Sequence, residues 1–371
     1  MRKKILFIPS IYRVGERIYP LIPELSKFAD VDLLQIHEMS KEAPCYGNVN
    51  YKDVFSKKYY KHLNNIYNIP ITHQYPYKLS LQWPSFDPKK YDLILFDDSR
   101  KKYGLDFLYK DKRSDCIMVA NTHCNTTLNP KPGQISPEGN SQGNFIVNYY
   151  KKLFDYCFVH GNIEKNAYED TSYLISGGIP SNDALKDYKR TNQHILVITN
   201  FLGHAPVCPY KIKFDKQLFD QMKLLELQKK YNKKVIIKTK SRIIQSHHYT
   251  KDHSYLKSIL PKDLDYEIIT DSVDNNRLIC DSFLVIGSTS TFCFKPIQKG
   301  IPTILIHKAG VTGSFYNYRS LIDIDDNFLE NVEKEINAGR DTEYINSILE
   351  GGSEYKSIEI YINSIKKLLK I

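Results

Sequence analysis

The chain has 371 residues, 42% of them hydrophobic and 25% charged, and this composition excludes a disordered tail, a collagen-like repeat and a small disulfide-stapled scaffold. Lys and Arg number 52 against 42 for Asp and Glu, and the net charge of +10 favours anionic partners such as nucleotides. Seven scattered cysteines without CxxC spacing predict buried, reduced thiols in a cytoplasmic protein and no structural zinc site.

Short apolar runs without strict alternation mark the predicted strands in both halves of the chain. In chain order, these runs are Ile5–Ile8, Val31–Leu34, Leu93–Phe96, Cys116–Ala120, Cys157–Val159, Ile195–Ile198, Val235–Ile237, Phe283–Ile286 and Thr303–Ile306. Helical patterns occupy Lys216–Tyr231 and Ser353–Lys370. Runs that are apolar on both faces are typical of parallel strands covered by helices, so the alternation of strands and helices predicts an α/β protein.

The series of strands restarts near residue 194, after the polar segment 187–193. We therefore expect two doubly wound Rossmann-like domains facing a cleft, residues 1–187 and residues 188–371. Ligands of such sheets bind outside the carboxyl ends of the strands, which makes the cleft the expected site.

Several chemistries lack the residues that they require. The chain has no G-x-x-x-x-G-K-[ST] run, which excludes a P-loop kinase, and no G-x-G-x-x-G run follows the first strand. Adjacent histidines point apart, so His247 and His248, together with His253, are expected in a surface loop and not in a metal site. We predict no metal site and no cofactor.

Four hydroxyl residues follow a buried strand that ends at Gly287: Ser288, Thr289, Ser290 and Thr291. They open a predicted helix that Gly300 closes. Capping of that helix needs only one hydroxyl. The backbone N–H groups of a helix start, the helix dipole and the additional hydroxyls together predict an anion site that fits a diphosphate, with plain capping as the alternative.

The strand–Gly–hydroxyl–helix–Gly–x–Pro–strand pattern of residues 283–306 resembles the donor-binding unit of GT-B glycosyltransferases. It is also similar to CDP-glycerol glycerophosphotransferases and UDP-N-acetylglucosamine 2-epimerases, which share that two-domain fold. Residues 154–162 and the G-x-P-x-x-D turn of residues 176–183 are similar to the end of the first domain in these families. The resemblance implies a GT-B-like fold with a donor-binding second domain, an acceptor-binding first domain and a last helix that packs back on the first domain. One departure is Lys295, which stands where retaining members often carry an acidic residue that contacts the donor ribose.

Basic residues near the carboxyl end of one strand add to the predicted donor site. Lys238, Lys240 and Arg242 are expected to project from that end and to neutralise a diphosphate leaving group in place of a metal. Gly203 follows the first strand of the second half, where a glycine lets the backbone approach a phosphate. A solvated basic loop is the alternative.

Polar residues after strands of the first half are the candidate catalytic groups. His123 is the leading candidate general base, because imidazole titrates near neutral pH, and its position resembles that of a histidine in the glycerophosphotransferases. Glu16 is a second candidate base, and Arg13 is expected to bind an anionic acceptor. Asp98 is expected to orient the base or to bind acceptor hydroxyls.

These features predict a metal-independent glycosyltransferase that moves a sugar from a nucleotide-sugar to a hydroxyl acceptor such as a glycan or a lipid-linked glycan. Surface polysaccharide or glycoconjugate synthesis is the setting that the resemblance implies. Two alternatives stay open: a CDP-glycerol-type glycerophosphotransferase, and a non-catalytic nucleic-acid-binding protein suggested by the net charge of +10 and the 28 Tyr. The expected location is cytoplasmic, and Lys366, Lys367 and Lys370 would allow peripheral contact with an anionic inner-membrane surface.

Overall fold

The computed structural model describes residues 2–8, 18–36, 73–75, 87–96, 111–121, 154–166, 170–199, 202, 212–239, 246–269, 274–307, 315, 317–323 and 327–371. Within these ranges, the side chains of residues 33–36, 73–75 and 246–251 are outside the description. The chain divides into two compact units. Unit 1 comprises Met1–His123, Gly139–Asp183 and Ser347–Ile371, and unit 2 comprises Cys124–Glu138 and Ala184–Asn346.

Strands and helices alternate in the described part of residues 194–306, whereas several strands follow one another in the described part of residues 29–159. The strands are β1 (Lys3–Ile8), β2 (Ala29–Ile36), β3 (His73–Tyr75), β4 (Leu93–Phe96), β5 (Ile117–Asn121), β6 (Tyr156–Val159), β7 (Leu174–Ser176), β8 (His194–Thr199), β9 (Lys234–Thr239), β10 (Tyr266–Ile269), β11 (Ser282–Ser288), β12 (Thr303–Ile306) and β13 (Leu321–Ile322). The helices are α1 (Leu21–Leu25), α2 (Asn162–Lys165), α3 (Lys216–Gln221), α4 (Leu224–Tyr231), α5 (Ser246–Ile259), α6 (Asn275–Cys280), α7 (Phe294–Lys299), α8 (Phe328–Ala338), α9 (Thr342–Ile348) and α10 (Ser357–Leu369). Short 3-10 turns occupy Pro88–Lys90, Pro180–Asp187, Thr291–Cys293 and Gly352–Glu354.

Unit 1 is built on a parallel sheet with the strand order β3-β2-β1-β4-β5-β6-β7, so the order reverses between β1 and β4. Consecutive residues of a central strand, such as Leu93 and Ile94, are both fully buried, so both faces of the sheet are covered at this strand. The last helix, α10, contributes three side chains at four-residue spacing to the core of this unit: Tyr361, Ile365 and Leu369.

Unit 2 is built on a second parallel sheet, with the order β10-β9-β8-β11-β12-β13. Its core includes Val197 of β8, Leu284 of β11 and Ile304 of β12, all fully buried. Strand order reverses between β8 and β11, since the chain continues from β8 to β9 on one side and from β11 to β12 on the other.

The predicted fold class is confirmed, because each unit is a doubly wound α/β sheet with parallel strands. The boundary predicted between residues 187 and 188 and the roles assigned to the two domains stay predictions. Four cysteines are buried and free of disulfides, as expected: Cys116, Cys157, Cys280 and Cys293.

Two local expectations are wrong. The backbone of His247, His248 and His253 belongs to α5 and not to a loop, because buried residues such as Leu256 anchor that segment to the core of unit 2. The helix predicted over residues 216–231 is divided into α3 and α4 at Lys223, which has a left-handed backbone (φ 47°).

Candidate functional site

The carboxyl ends of β8 and β11 lie side by side where the strand order of unit 2 reverses. Gly287 is in register with Ile198, one residue before the end of β8. The chain continues from β8 towards one edge of the sheet and from β11 towards the other. Doubly wound sheets bind ligands at such a reversal of strand order. Ser288, the last residue of β11, therefore stands at the expected ligand edge of unit 2.

The turn after β11 folds back closely over the end of its own strand. A Cβ atom on Gly287 would lie 3.1 Å from the Cys293 Sγ and 3.4 Å from the Ile198 Cβ, so glycine leaves room for this approach. The Cys293 thiol donates a hydrogen bond to the Ser288 carbonyl at 3.3 Å. Burial raises the pKa of this thiol to about 12, which keeps it protonated and able to donate.

One of the four hydroxyl residues has the capping role. The Ser290 side chain accepts a hydrogen bond from the Phe292 N–H at a long 3.4 Å. Ser288 is buried, with 6% of its surface exposed, whereas Thr289 and Thr291 are partly exposed. Neither of these two described threonines is the residue that caps the turn.

The far end of α7 is held by cationic side chains. Gly300 ends the helix with a left-handed backbone (φ 74°), and its carbonyl accepts a hydrogen bond from Arg190 at 2.9 Å. Arg340 donates to the Gln298 carbonyl at 3.0 Å. Cations at a helix C-terminus satisfy free carbonyls and complement the helix dipole, so these contacts fix the helix that follows the hydroxyl-rich turn.

Lys238 lies inside β9 and not in a loop beyond it. It is in register with Ile198 of β8, and only 6% of its surface is exposed. Its carbonyl accepts a hydrogen bond from the Thr199 hydroxyl at 3.4 Å. The solvated-loop alternative is therefore wrong for Lys238. The neighbouring predictions Lys240, Arg242 and Gly203 lie outside the described residues.

Lys295 contacts the helix that precedes β11. Its Nζ donates to the Asn276 Oδ1 at 2.6 Å, which links the start of α7 to the start of α6. The α6 helix is itself capped by Asp274, whose carboxylate accepts hydrogen bonds from the backbone N–H groups of Asn276 and Arg277, both at 3.0 Å. The lysine at this position thus has a structural partner in unit 2.

Two buried polar groups mark the carboxyl ends of β5 and β6 in unit 1. Asn121 ends β5 with 3% of its surface exposed, and its Oδ1 accepts a hydrogen bond from the Tyr361 hydroxyl at 2.9 Å. His160 follows β6, and its backbone N–H and its ring Nδ1 both lie 2.8 Å from the Glu164 Oε2. Sequence reasoning did not select Glu164, although its spacing of four residues from His160 is visible in the sequence.

The remaining candidate residues of the first domain lie outside the described residues and stay predictions: His123, Glu16, Asp98 and Arg13. Asn121 is two positions before His123 and is the described residue nearest to it along the chain.

The described residues contain no group of three or more His, Cys, Asp or Glu side chains that could hold a metal ion. In the same part of the chain, no helix is both long enough and apolar enough to cross a membrane.

No protein-family model and no curated protein sequence matches the chain. Solved structures do match it. A putative UDP-N-acetylglucosamine 2-epimerase from Listeria monocytogenes is 11% identical, with a TM-score of 0.62, over 100% of this chain and 97% of that one. The UDP-GlcNAc 2-epimerase from Neisseria meningitidis, solved with UDP-GlcNAc bound, is 12% identical, with a TM-score of 0.59, over 98% and 100% of the two chains.

The wall teichoic acid polymerase TagF matches at 12% identity and a TM-score of 0.54, over 100% of this chain and 90% of that one. At such low identities, structural similarity establishes the fold and leaves the reaction open. The chain therefore has the α/β fold of GT-B-type enzymes, in agreement with the fold that the sequence pattern predicts.

Proposed function

We propose that this protein is a glycosyltransferase that moves a sugar from a nucleotide-sugar to an acceptor hydroxyl in surface polysaccharide or glycoconjugate synthesis. The observation that carries the proposal is the position of the Ser288–Thr291 turn at the carboxyl end of β11, beside the reversal of strand order. This is the edge at which doubly wound sheets bind nucleotides.

The chemistry of the turn suits a diphosphate. The first N–H groups of a helical segment lack partners within the helix and attract anions. The side chain that caps this turn is that of Ser290, and neither Thr289 nor Thr291 has this role. The hydroxyls of Thr289 and Thr291 are then donors for phosphate oxygens. Lys238, Lys240 and Arg242 would add positive charge, with no metal or cofactor in the proposed reaction.

The structural neighbours agree with a nucleotide-linked substrate. One of them is an epimerase bound to UDP-GlcNAc, and another is a teichoic acid polymerase. Those ligands and activities belong to the neighbours, and they support the proposal by showing what this fold can bind.

The proposed mechanism is a direct displacement. His123 or Glu16 takes the proton of the acceptor hydroxyl, and the acceptor oxygen forms a bond to the anomeric carbon. The bond from that carbon to the diphosphate oxygen breaks, and its electron pair leaves with the nucleoside diphosphate. The basic residues and the turn stabilise the charge that develops there. Asp98 would orient the base, and Arg13 would bind an anionic acceptor.

The similarity to TagF favours one second candidate, transfer of glycerol phosphate from a CDP-linked donor. The two reactions differ in whether phosphorus enters the product. Purified protein is therefore supplied, in separate reactions, with sugar-labelled UDP-GlcNAc and with CDP-glycerol carrying ³²P in the phosphate next to glycerol, together with a membrane fraction as the source of acceptors.

Sugar label in the product with release of nucleoside diphosphate supports the glycosyltransferase, and a panel of other nucleotide-sugars extends the test. Incorporation of ³²P supports the glycerophosphotransferase instead. If every donor stays intact and the protein binds DNA with strong salt dependence, both enzymatic proposals fail and the nucleic-acid-binding alternative gains support.

A further inference from the structure

The carboxamide of Asn121 has one satisfied end and one unsatisfied end. Its Oδ1 accepts the hydrogen bond from the Tyr361 hydroxyl. Its Nδ2 is buried and has no hydrogen-bond partner among the residues that the structure describes. A buried donor without an acceptor destabilises a folded protein, and the large majority of buried side-chain polar atoms have a hydrogen-bond partner.

Tyr361 holds the carboxamide in one orientation. Its ring stacks on Phe158, with ring centres 3.9 Å apart and planes inclined by 16°. On Gly177, an added Cβ would lie 2.5 Å from the tyrosine Cε2 and 2.8 Å from the Phe158 Cδ1, so the ring fills the space that this glycine leaves open. The hydroxyl therefore has a fixed position, and the bond to Oδ1 directs Nδ2 away from it.

Reversing the orientation of the amide would not satisfy both of its ends. In the flipped orientation, Nδ2 would face the tyrosine hydroxyl and Oδ1 would take the buried position without a partner. In either orientation, one end of the carboxamide has no hydrogen-bond partner among the described residues. Asn121 is the last residue of β5, at the carboxyl edge of a doubly wound sheet, which is the edge where such sheets bind ligands.

We propose that the Asn121 Nδ2 donates a hydrogen bond to a hydroxyl oxygen of the acceptor substrate and that Tyr361 is the residue that positions it. A neutral amide donor suits the uncharged oxygen of a sugar or polyol, which needs a directed hydrogen bond and no charge partner. This inference rests on the proposed function, since it assigns the acceptor class to unit 1. It concerns substrate binding and does not assign Asn121 a catalytic step.

Side-chain amide NMR tests this inference directly. Protein labelled with ¹⁵N in asparagine gives one pair of carboxamide signals for each Asn, and Asn121→Asp identifies the pair from Asn121. N-acetylglucosamine and glycerol are titrated as hydroxyl probes, and inorganic phosphate as an anionic probe. Tyr361→Phe retains the stacked ring and removes the hydroxyl.

The matched control is Tyr173→Phe. The Tyr173 hydroxyl is also buried and has no partner among the described residues, but it precedes β7 at the amino edge of the same sheet. The inference predicts that one hydroxyl probe shifts the Asn121 signals saturably in the wild type and in Tyr173→Phe. Tyr361→Phe should weaken that apparent affinity by about tenfold, because it removes the one neutral hydrogen bond that positions the carboxamide.

Other outcomes overturn the inference. If no hydroxyl probe shifts the Asn121 signals, Asn121 does not bind a substrate hydroxyl. If only phosphate shifts them, the ligand is an anion and not a hydroxyl. Equal affinities in Tyr361→Phe and the wild type would remove the positioning role. UDP and CDP binding, measured by thermal shift on the same variants, reports separately on the donor site, so failure here is distinguishable from failure of the proposed function.

Discussion

The carboxylate of Asp183 accepts hydrogen bonds from the backbone N–H groups of Ser357 and Ile358, at 3.2 and 2.7 Å. These hydrogen bonds join segments that are far apart in the chain, with sequence separations of 174 and 175 positions. Asp183 ends the G-x-P-x-x-D turn, and Ser357 and Ile358 begin α10. The same turn contacts the helix again through the Ile179 N–H, which donates to the Ser357 hydroxyl at 3.2 Å. The first turn of α10 is thus capped by a residue that the sequence marks only as part of a family-like turn.

Removal of this cap should loosen α10. Asp183→Ala leaves two N–H groups at the start of the helix without an acceptor and removes a negative charge from its positive end, so we expect a local loss of about 1–3 kcal/mol. Hydrogen exchange of the α10 amides measures this loss. Asp215→Ala removes the cap of α3 in unit 2 and is the control. If both variants leave exchange in α10 unchanged, Asp183 does not stabilise the helix.

The close approach at Gly287 should be necessary for nucleotide binding. Gly287→Ala places a methyl group 3.1 Å from the Cys293 Sγ, so the Thr291–Cys293 turn must move by several tenths of an ångström. We expect about a tenfold or greater loss of nucleotide affinity with little loss of secondary structure, measured by calorimetric titration and circular dichroism. Adding Cys293→Ala should restore part of the affinity. A single Gly287→Ala variant that binds as tightly as the wild type would contradict the proposed position of the diphosphate.

Glu335 should contribute far more to stability than its neighbour Glu333 on the same helix. Glu335 has 3% of its surface exposed and accepts hydrogen bonds from Tyr318 at 3.1 Å and from the Arg319 Nε at 2.8 Å, while Glu333 pairs with Lys230 at the surface. Glu335→Ala leaves buried donors unpaired and should cost about 3–5 kcal/mol in the free energy of unfolding. Glu333→Ala should cost about 0–1 kcal/mol. Urea denaturation of the two variants checks the difference, and similar midpoints would contradict it.

His194 should make stability depend on pH near neutrality. Burial lowers the pKa of its imidazole below the usual 6.5, and the ring Nε2 lies 3.1 Å from the Leu278 carbonyl and from the Ser282 hydroxyl. Because the unfolded chain binds a proton there more readily than the folded chain, this contribution is present above about pH 6.5 and is lost as the pH falls below it.

The measurement for His194 is the free energy of unfolding between pH 8 and pH 5. His194→Gln retains a side-chain donor and cannot titrate, so its stability should fall less over this range than that of the wild type. Parallel pH profiles for the two proteins would show that His194 does not contribute to the loss.

The central strands could be predicted from the sequence because burial on both faces requires continuous apolar runs. The predicted runs Leu93–Phe96 and Thr303–Ile306 coincide with β4 and β12, and every residue in them is buried. The four edge strands, β3, β7, β10 and β13, are absent from the predicted runs. β3 and β7 have three residues each, β13 has two, and β10 is half-buried with an exposed Glu267. Short edge strands have too little apolar patterning to be distinguished from loops.

The candidate site was predictable where its signal is local. The hydroxyl run after Gly287 could be located because strand, glycine and cap are adjacent in sequence. The burial of Lys238 could not be predicted, because the apolar run ends at Ile237 while the strand continues through the polar residues Lys238 and Thr239. Contacts between distant segments, such as that of Asn121 with Tyr361, 240 positions away, leave no sign in either segment alone.

The central claim, that the Ser288–Thr291 turn binds the diphosphate of a nucleotide, is tested most directly by thermal unfolding with UDP, CDP, GDP, dTDP and CMP. A ligand at about 100 times its Kd adds about 2.7 kcal/mol of stability, which is readily measured. The test compares the wild type with Ser290→Ala/Thr291→Ala and with a control, Ser258→Ala/Thr342→Ala, which removes two exposed hydroxyls from other helices of unit 2. We expect one nucleotide to raise the Tm of the wild type and of the control but not that of the turn variant. If no nucleotide raises the Tm at millimolar concentration, or if the turn variant retains the full increase, the claim is contradicted.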